Sequence, residues 1–358
     1  MSKEATKLLI AASGTGGHLF PAIAVAEQLP EYQIEWLGVP DRLESKLVPE
    51  KYPLHIIRVG GFQGKLGLGT IKTLTGLVTS IFKVRALLKR GKFDGVFSTG
   101  GYIAAPSILA GYSLGLPVFL HESNALPGKV TRWLSPFCTK VAIGFTVTSK
   151  YLTRAQTIYL GTPCREQFLT PQPLDLPISP TSPLIVIIGG SQGAVAVNQM
   201  IRECVGTWIA AGATIVHITG ASDAPSEQID HPQYIVLPFY DNMAGLFQRA
   251  DLAISRAGAA TINELMITST PSILIPYPYA AEDHQYYNAN ELATVDGALL
   301  FRQEKLTAPI LAEEVLNLLQ NPERMKIMAA NTSSLGIVNS AELLADLIRA
   351  SVKAKSTK

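Results

Sequence analysis

Residues 7–29 have the sequence KLLIAASGTGGHLFPAIAVAEQL, in which an apolar run leads through a glycine-rich turn into a second apolar stretch. The first run has the length of a buried strand, and Pro21 is a residue type favoured at the first position of a helix. The segment therefore predicts a strand, a turn and a helix that opens at Pro21. Residues 184–204 repeat this plan, because LIVII and GGSQGA are again followed by a helical pattern.

A second pair of segments also matches between the two halves of the chain. Residues 95–120 (GVFSTGGYIAAPSILAGYSLGLPVFL) and 251–277 (DLAISRAGAATINELMITSTPSILIPY) each predict a strand, a glycine turn, a helix and a strand. Alternating strands and helices form parallel sheets with right-handed crossovers. The predicted fold class is α/β, with two Rossmann-like doubly wound domains facing a cleft and ligands at the carboxyl ends of the strands.

The two halves are separated by a proline-rich segment. Residues 161–183 contain six prolines, which exclude a continuous helix or a central strand. We therefore predict an N-terminal domain over 1–162 and a C-terminal domain over 163–336. Residues 337–358 are predicted to end in a helix, and the sequence leaves open whether it packs on the C-terminal domain or back on the N-terminal one.

The composition limits the classes of partner and compartment. Hydrophobic residues make up 47% of the chain and charged residues only 16%, against about 25% charged in a typical soluble protein. A formal charge of +2 makes nucleic acid an unexpected partner. Three widely spaced cysteines suit a reducing compartment, and the apolar stretch at the N-terminus is too short for a signal peptide. These features predict a cytosolic protein with extensive buried structure.

The glycine-rich turns are candidate phosphate sites. Backbone N–H groups point outward from such a turn, and the helix that follows carries about half a positive charge at its N-terminus. Residues 14–18 (GTGGH) resemble a dinucleotide fingerprint, but Leu19 stands where the third glycine belongs, which disfavours NAD. The similar turns at 189–193 and 256–261 are best explained by helix N-termini that converge on one diphosphate.

A serine hydrolase is the alternative for the turn at 189–193. Its sequence GGSQG matches the nucleophile elbow, with Ser191 as the nucleophile and Asp251 and His284 in the expected chain order. The elbow leaves the duplicated halves unexplained.

No metal or other cofactor is expected. The chain has no DxD sequence, and His121-Glu122 lacks the second histidine of an HExxH motif. Helix N-termini and Arg165 would have to neutralise the diphosphate instead.

Six short sequences, in their order along the chain, resemble the signatures of the MurG family of N-acetylglucosaminyltransferases. They are GTGGHLFPAIAVA at 14–26, GGY at 100–102, LHESNALPG at 120–128, GGSQGA at 189–194, SRAGAATINEL at 255–265 and DHQYYNA at 283–289. The resemblance covers nearly the whole chain. It implies a GT-B glycosyltransferase that inverts the anomeric centre while moving GlcNAc from UDP-GlcNAc to the 4-hydroxyl of MurNAc in lipid I. The product, lipid II, serves peptidoglycan synthesis at the cytoplasmic face of the bacterial inner membrane.

The resemblance also implies which residues bind the two substrates. The implied donor contacts are Phe239 and Tyr240 at the uracil, Glu264 at the ribose, Arg165, Ser191, Ala259, Ala260 and Thr261 at the diphosphate, and His284, Gln285 and Asn288 at the sugar. The implied acceptor and phosphate contacts are Thr15, Gly16, Gly17, Tyr102 and Asn124. His284 stands at a position that is glutamine in some members of the family.

The implied reaction needs a base that takes the proton from the acceptor hydroxyl. An unperturbed histidine has a pKa of about 6.5, which suits His18 for that task. His18 can equally orient the turn and bind the acceptor pyrophosphate without transferring a proton. Glu122 is then the alternative base.

The segment that begins at Ile71 predicts a membrane-facing helix. Apolar residues recur there at helical spacing among basic ones, and no acidic residue occurs between Lys51 and Phe93. The residues predicted to face an anionic membrane surface are Ile71, Leu74, Val78, Phe82, Lys72, Lys83 and Arg85. The alternative is an ordinary core-facing helix with solvated lysines.

The sequence leaves three other functions open. They are a GT-B enzyme with a different acceptor, the hydrolase that uses Ser191, and a sugar-nucleotide binding module without activity. The resemblance further implies other cell-wall synthesis proteins as partners.

Overall fold

The computed structural model describes residues 5–40, 42–59, 68–189, 194–220, 223 and 229–356, without the side chains of 68–73 and 354–356. The chain forms two compact units. The first comprises Met1–Arg165 together with Ile337–Lys358, and the second comprises Glu166–Gly336. Each unit is built on one parallel sheet.

The first unit contains a sheet of seven strands. They are β1 (Lys7–Ala11), β2 (Gln33–Gly38), β3 (Leu54–Ile56), β4 (Gly95–Ser98), β5 (Val118–Glu122), β6 (Lys140–Ile143) and β7 (Thr157–Tyr159). Their order is β3-β2-β1-β4-β5-β6-β7, so the connections switch sides between β1 and β4. Such a switch point opens a crevice at the carboxyl ends of the two strands, where α/β sheets bind ligands.

Helices cover both faces of the first sheet. They are α1 (Gly16–Glu27), α2 (Glu44–Leu47), α3 (Leu68–Gly91), α4 (Ala104–Ser113) and α5 (Lys129–Leu134), with 3-10 turns at Ser135–Phe137 and Thr146–Tyr151. Leu9 packs into one cluster with Val84 of α3, whereas Leu8 packs into another with Val25 of α1. Because successive strand residues face opposite sides, burial on both faces explains the unbroken apolar run of β1.

Helix α1 begins at Gly16, so the predicted start at Pro21 was wrong. The Thr15 carbonyl oxygen accepts hydrogen bonds from the N–H groups of His18 and Leu19, at 3.0 and 3.1 Å. These bonds close the first helical turn before the proline is reached. Pro21 therefore lies inside the helix, where its missing N–H removes one backbone hydrogen bond.

The second unit repeats the plan with six strands. They are β8 (Leu184–Ile188), β9 (Thr214–Ile218), β10 (Tyr234–Leu237), β11 (Leu252–Ser255), β12 (Ser272–Leu274) and β13 (Ala298–Leu300), in the order β10-β9-β8-β11-β12-β13. The helices are α6 (Glu166–Leu169), α7 (Val195–Ala210), α8 (Met243–Arg249), α9 (Ala259–Thr268), α10 (His284–Thr294), α11 (Ala308–Leu319) and α12 (Pro322–Ser334). Ile185 and Ile187 of β8 share a core with Trp208 of α7 and Leu311 of α11. Two doubly wound units confirm the predicted α/β fold class.

The last helix, α13 (Ser340–Ser356), packs on the first unit. Its residues Leu344 and Ile348 are buried in the same cluster as Leu8 of β1. Arg349 on the same helix forms an ion pair of 2.6 Å with Glu31, which follows α1. An apolar stripe at four-residue spacing thus closes one face of the first sheet.

Candidate active site

The turn after β1 brings backbone N–H groups to the carboxyl edge of the first sheet. Gly14 has a φ of +102°, a conformation that favours glycine. Thr15 is the exposed N-cap of α1 and makes no side-chain capping bond, and Gly16 and Gly17 begin the helix. A Cβ on Gly16 would lie 2.7 Å from the Phe20 ring. The open helix end, bordered by glycine, suits an anion.

His18 lies on α1 and is fixed by the end of β4. Its Nδ1 lies 2.7 Å from the Thr99 carbonyl oxygen, and the Thr99 hydroxyl donates to the His18 carbonyl oxygen at 2.9 Å. A carbonyl oxygen only accepts, so Nδ1 carries the proton and the neutral ring has its lone pair on Nε2. Gly100 and Gly101, both at positive φ, border the ring, since a Cβ on Gly100 would lie 3.4 Å from it.

Glu122 lies at the end of β5 and is almost fully buried. Its Oε1 accepts hydrogen bonds from the backbone N–H and the side-chain amide of Asn124, at 3.1 and 2.9 Å. Its Oε2 accepts one from the Gly128 N–H at 3.1 Å. A carboxylate with three such donors holds the loop after β5 in shape, which favours His18 over Glu122 as the base.

Two further predicted contacts lie in the first unit. Tyr102 follows the glycine pair after β4 and is half exposed. The Arg165 guanidinium lies 4.3 Å from the centre of the Phe20 ring, within cation–π range. Phe20 is on α1, so this contact brings a fixed positive charge to the helix that begins at the glycine turn.

Two amide side chains of α10 hold the turn after β11. Gln285 Oε1 accepts hydrogen bonds from the N–H groups of Ala257 and Tyr277, at 3.2 and 2.9 Å. Asn288 is fully buried and donates from Nδ2 to the Ala257 carbonyl oxygen at 3.2 Å. This turn leads into α9, which carries the predicted donor contacts Ala259, Ala260, Thr261 and Glu264. Two residues predicted at the sugar thus also shape the backbone before α9.

Two family models match the chain. The Glycosyltransferase family 28 N-terminal domain matches residues 8–143, and the Glycosyltransferase family 28 C-terminal domain matches residues 184–347. The chain belongs to glycosyltransferase family 28. The predicted enzyme class, a glycosyltransferase, is therefore confirmed.

Relatives and solved structures agree with membership of family 28. A Trichodesmium erythraeum (strain IMS101) protein named "UDP-N-acetylglucosamine--N-acetylmuramyl-(pentapeptide) pyrophosphoryl-undecaprenol N-acetylglucosamine transferase" is 59% identical, over 97% of this chain and 93% of its own length. A protein of the same name from Rippkaea orientalis (strain PCC 8801 / RF-1) is 59% identical, over 97% of this chain and 99% of its own length. The crystal structure of Acinetobacter baumannii MurG has a TM-score of 0.76 and 30% identity, over 96% of this chain and 99% of that one. The resemblance to the MurG family is confirmed.

The aromatic pair predicted at the uracil of this family 28 chain follows β10. Phe239 exposes 68% of its surface, so its ring face is accessible. The Tyr240 hydroxyl instead donates to the Asp175 carboxylate. Burial and this carboxylate raise the pKa of Tyr240 to about 12. Phe239 is therefore the better candidate for stacking, and Tyr240 anchors the segment beside it.

A strained turn precedes α10. Glu282 and Asp283 have positive φ values of 53° and 57°, a conformation that costs about 1–3 kcal/mol per residue and that clusters at functional sites. Arg302 donates to the Asp283 carboxylate at 2.6 Å and so holds the turn. The predicted donor residue His284 follows directly, with its Nδ1 2.9 Å from the Ala281 carbonyl oxygen.

The serine-hydrolase alternative fails on the position of Asp251. Its carboxylate accepts hydrogen bonds from the Leu184 N–H at 2.8 Å and from Arg249 at 3.0 Å, at the amino ends of β8 and β11. A nucleophile elbow follows the carboxyl end of its strand, roughly 15 Å away along β8. Ser191 itself lies outside the described residues, but it follows that far end in sequence. Asp251 therefore cannot orient a histidine at that end of the strand, and the hydrolase alternative is not favoured.

A buried polar network in the second unit was not predicted from the sequence. His217 of β9 is fully buried, with Nδ1 2.8 Å from the Tyr234 hydroxyl and Nε2 3.1 Å from Asn198 Oδ1. Asn198 Nδ2 donates to the Thr219 carbonyl oxygen at 2.9 Å and to the Asp223 carboxylate at 2.7 Å. Burial lowers the pKa of His217 to about 4. The signal available in the sequence was a histidine inside an apolar strand.

Helix α3 has two apolar faces. Val84 and Leu88 are buried in the core, whereas Leu74, Val78 and Phe82 expose 53%, 45% and 66% of their surfaces. The exposed three recur every four residues, so they lie along one side of the helix. The core-facing alternative therefore accounts for only one of the two faces.

The basic residues predicted on α3 are only partly described. Lys83 is exposed, and Arg85 donates to the Ser113 hydroxyl of α4. The side chains of Ile71 and Lys72 lie outside the described parts. In the portion of the chain that the structure describes, no helix has the length and apolarity needed to cross a membrane.

Proposed function

We propose that this enzyme transfers GlcNAc from UDP-GlcNAc to the 4-hydroxyl of MurNAc in lipid I, which gives lipid II for peptidoglycan synthesis. The observation that carries the proposal is the geometry of His18, whose Nδ1–H is donated to the Thr99 carbonyl oxygen, so that the lone pair of the neutral ring lies on Nε2 in the first turn of α1. An acceptor sugar that is linked to a pyrophosphate needs a base for its hydroxyl proton and, close by, a site that binds the pyrophosphate. The names of relatives that are 59% identical supply the two substrates.

The proposed reaction is one displacement at the anomeric carbon. The acceptor oxygen forms its bond to C1 of GlcNAc while the bond from C1 to the diphosphate oxygen breaks, and UDP leaves with the electron pair. His18 Nε2 takes the proton of the acceptor hydroxyl. Attack opposite the leaving group inverts the configuration at C1.

The donor is proposed to bind chiefly to residues of the second unit. The N-terminus of α9 at Ala259, Ala260 and Thr261 would hold the diphosphate together with Ser191 and Arg165. Glu264 would accept hydrogen bonds from the ribose, while Phe239 stacks on the uracil. Gln285, Asn288 and His284 would contact the sugar, with Gln285 offering its amide N–H because its Oε1 already accepts two backbone hydrogen bonds.

The acceptor is proposed to bind to the first unit. Thr15, Gly16 and Gly17 would hold its pyrophosphate at the N-terminus of α1, with Tyr102 and Asn124 beside it. No resident metal is part of the proposal, because helix ends and Arg165 supply the positive potential. Glu122 would then fix the loop that carries Asn124.

The enzyme is further proposed to bind as a peripheral protein to the cytoplasmic face of the inner membrane. The exposed apolar line of Leu74, Val78 and Phe82 beside Lys83 supports contact with an anionic bilayer. Ile71, Lys72 and Arg85 would extend this surface. Other cell-wall synthesis proteins are proposed partners.

The test is transfer of labelled GlcNAc from UDP-GlcNAc to a lipid I analogue in the presence of EDTA. We expect wild type to form product, and His18→Ala and Glu264→Ala to lose it. His55→Ala is the matched control, because His55 pairs with Glu35 at 2.6 Å, on β3 and β2, away from the glycine turn. Wild type that binds UDP-GlcNAc but does not modify lipid I would overturn the acceptor assignment.

A further inference from the structure

A fully buried carboxylate lies behind the glycine turn of the first unit. Glu44, the first residue of α2, is 0% exposed. Burying a carboxylate is costly unless its oxygens are hydrogen-bonded. Its Oε1 accepts from the Val39 N–H at 2.7 Å, and its Oε2 accepts from the Gly14 N–H at 3.3 Å. Glu44 therefore joins the turn after β1 to the residue after β2.

The backbone is shaped to admit this side chain. A Cβ on Gly38, the last residue of β2, would lie 2.7 Å from Glu44 Cγ and 3.0 Å from its Oε1. Only glycine leaves that space. Gly14, at the other end of the contact, has a φ of +102°, a conformation that glycine adopts readily and other residues rarely adopt.

Neighbouring side chains fix the residues just before the turn. Trp36 Nε1 donates to the Ala12 carbonyl oxygen at 2.9 Å, and the Ser98 hydroxyl donates to the Ala11 carbonyl oxygen at 2.8 Å. Both hydrogen bonds fix backbone carbonyl groups, and neither fixes a backbone N–H group of the turn. Glu44 adds the complementary contact, because it holds an N–H group at Gly14, two residues before α1 begins.

We infer that Glu44 is a positioning residue of the transfer reaction. It fixes the Gly14 turn, and through it the N-terminus of α1 and His18, while remaining too buried to touch a substrate. This inference rests on the proposed function. Glu44 should therefore affect use of the acceptor and not binding of the donor, whose proposed contacts are chiefly in the second unit.

The test compares Glu44→Gln with wild type in steady-state transfer to a lipid I analogue. The side-chain NH2 group of glutamine cannot accept a hydrogen bond, so only one of the N–H groups of Gly14 and Val39 keeps its acceptor. We expect the acceptor KM to rise about tenfold and kcat to fall, with the KM for UDP-GlcNAc unchanged. Glu35→Gln is the matched control, because that carboxylate pairs with Lys7 and His55 on the same sheet and should leave both KM values unchanged.

A second variant displaces the carboxylate without removing its charge. Gly38→Ala places a Cβ against Glu44, and we expect the same rise in the acceptor KM. If Glu44→Gln does not fold, Gly38→Ala decides the question. A fall in kcat with both KM values unchanged would indicate a smaller folded fraction and would overturn the inference. Wild type inactive on the lipid I analogue would instead contradict the proposed function.

Discussion

His18 and Thr99 lie 81 residues apart, and the side chain of each hydrogen-bonds the backbone carbonyl oxygen of the other. The pair joins the helix after β1 to the turn after β4, across the switch point of the first sheet. The ring orientation of His18 therefore depends on the β4 turn as much as on its own helix. A proton acceptor held in this way loses little entropy when a substrate binds.

Thr99→Val should lower kcat about twofold to tenfold, because it removes one neutral hydrogen bond without changing the side-chain shape. The Thr99 carbonyl remains, so the Nδ1–H tautomer of His18 should persist. The measurement is kcat for transfer to a lipid I analogue. Thr99→Ser, which keeps the hydroxyl, should be close to wild type. Equal kcat values for Thr99→Val, Thr99→Ser and wild type would show that the Thr99 hydroxyl does not contribute to the transfer rate.

Gln285→Ala should raise the KM for UDP-GlcNAc about tenfold, because two backbone N–H groups lose their acceptor and the turn before α9 loosens. The KM for the acceptor should not change. Gln320→Ala is the control, since Gln320 lies at the end of α11. An unchanged donor KM in Gln285→Ala would contradict the donor role of this turn.

The free energy of unfolding should fall as the pH falls below 6.5. Burial holds the pKa of His217 at about 4, and that of His121 at about 4, below the ordinary value of 6.5. Between these values the unfolded chain binds more protons than the folded one, so stability rises with pH across the window from about 4 to 6.5. Each histidine should lower the free energy of unfolding by about 2 kcal/mol when the pH falls from 7 to 5.

Urea unfolding at pH 7 and pH 5 measures this effect. His217→Gln should be less stable than wild type at pH 7 because the bond to Tyr234 is altered, but its loss on acidification should be smaller. His55→Gln is the control, since His55 is partly exposed. If acidification lowers the free energy of unfolding equally in wild type and His217→Gln, His217 is not a source of the pH dependence.

Phe82→Ser should weaken binding to vesicles of anionic lipid about tenfold, because a largely exposed aromatic side chain no longer enters the bilayer interface. Transfer to a short-chain, water-soluble acceptor analogue should be unchanged. Ile327→Ser is the matched control, because Ile327 is 60% exposed on the second unit. Equal losses of vesicle binding in both variants would argue against a membrane surface on α3.

Ile348→Ala should lower the free energy of unfolding by about 2–5 kcal/mol, since the side chain is fully buried between α13 and the first sheet. Leu347→Ala, at a partly buried neighbour, should cost clearly less. Thermal or urea denaturation followed by circular dichroism measures both. Equal, small losses would show that α13 contributes little to the first unit.

The local pattern of the chain predicted most of the fold. Apolar runs such as residues 184–188 are strands because both sheet faces are covered. The predicted start of α1 at Pro21 was wrong because the helix already begins at Gly16. The start of the helix is set by the hydrogen bonds that the Thr15 carbonyl oxygen accepts, and the sequence does not show these bonds.

The sequence by itself determined the two doubly wound units and the resemblance to the MurG family, because short-range periodicity and ordered signatures carry that information. Only the tertiary structure decided which unit α13 packs on, which nitrogen of His18 carries the proton, and that Glu44 lies behind Gly14. It also excluded Asp251 from a catalytic triad. Each of these depends on contacts between residues far apart in sequence, and spacing along the chain does not encode such contacts.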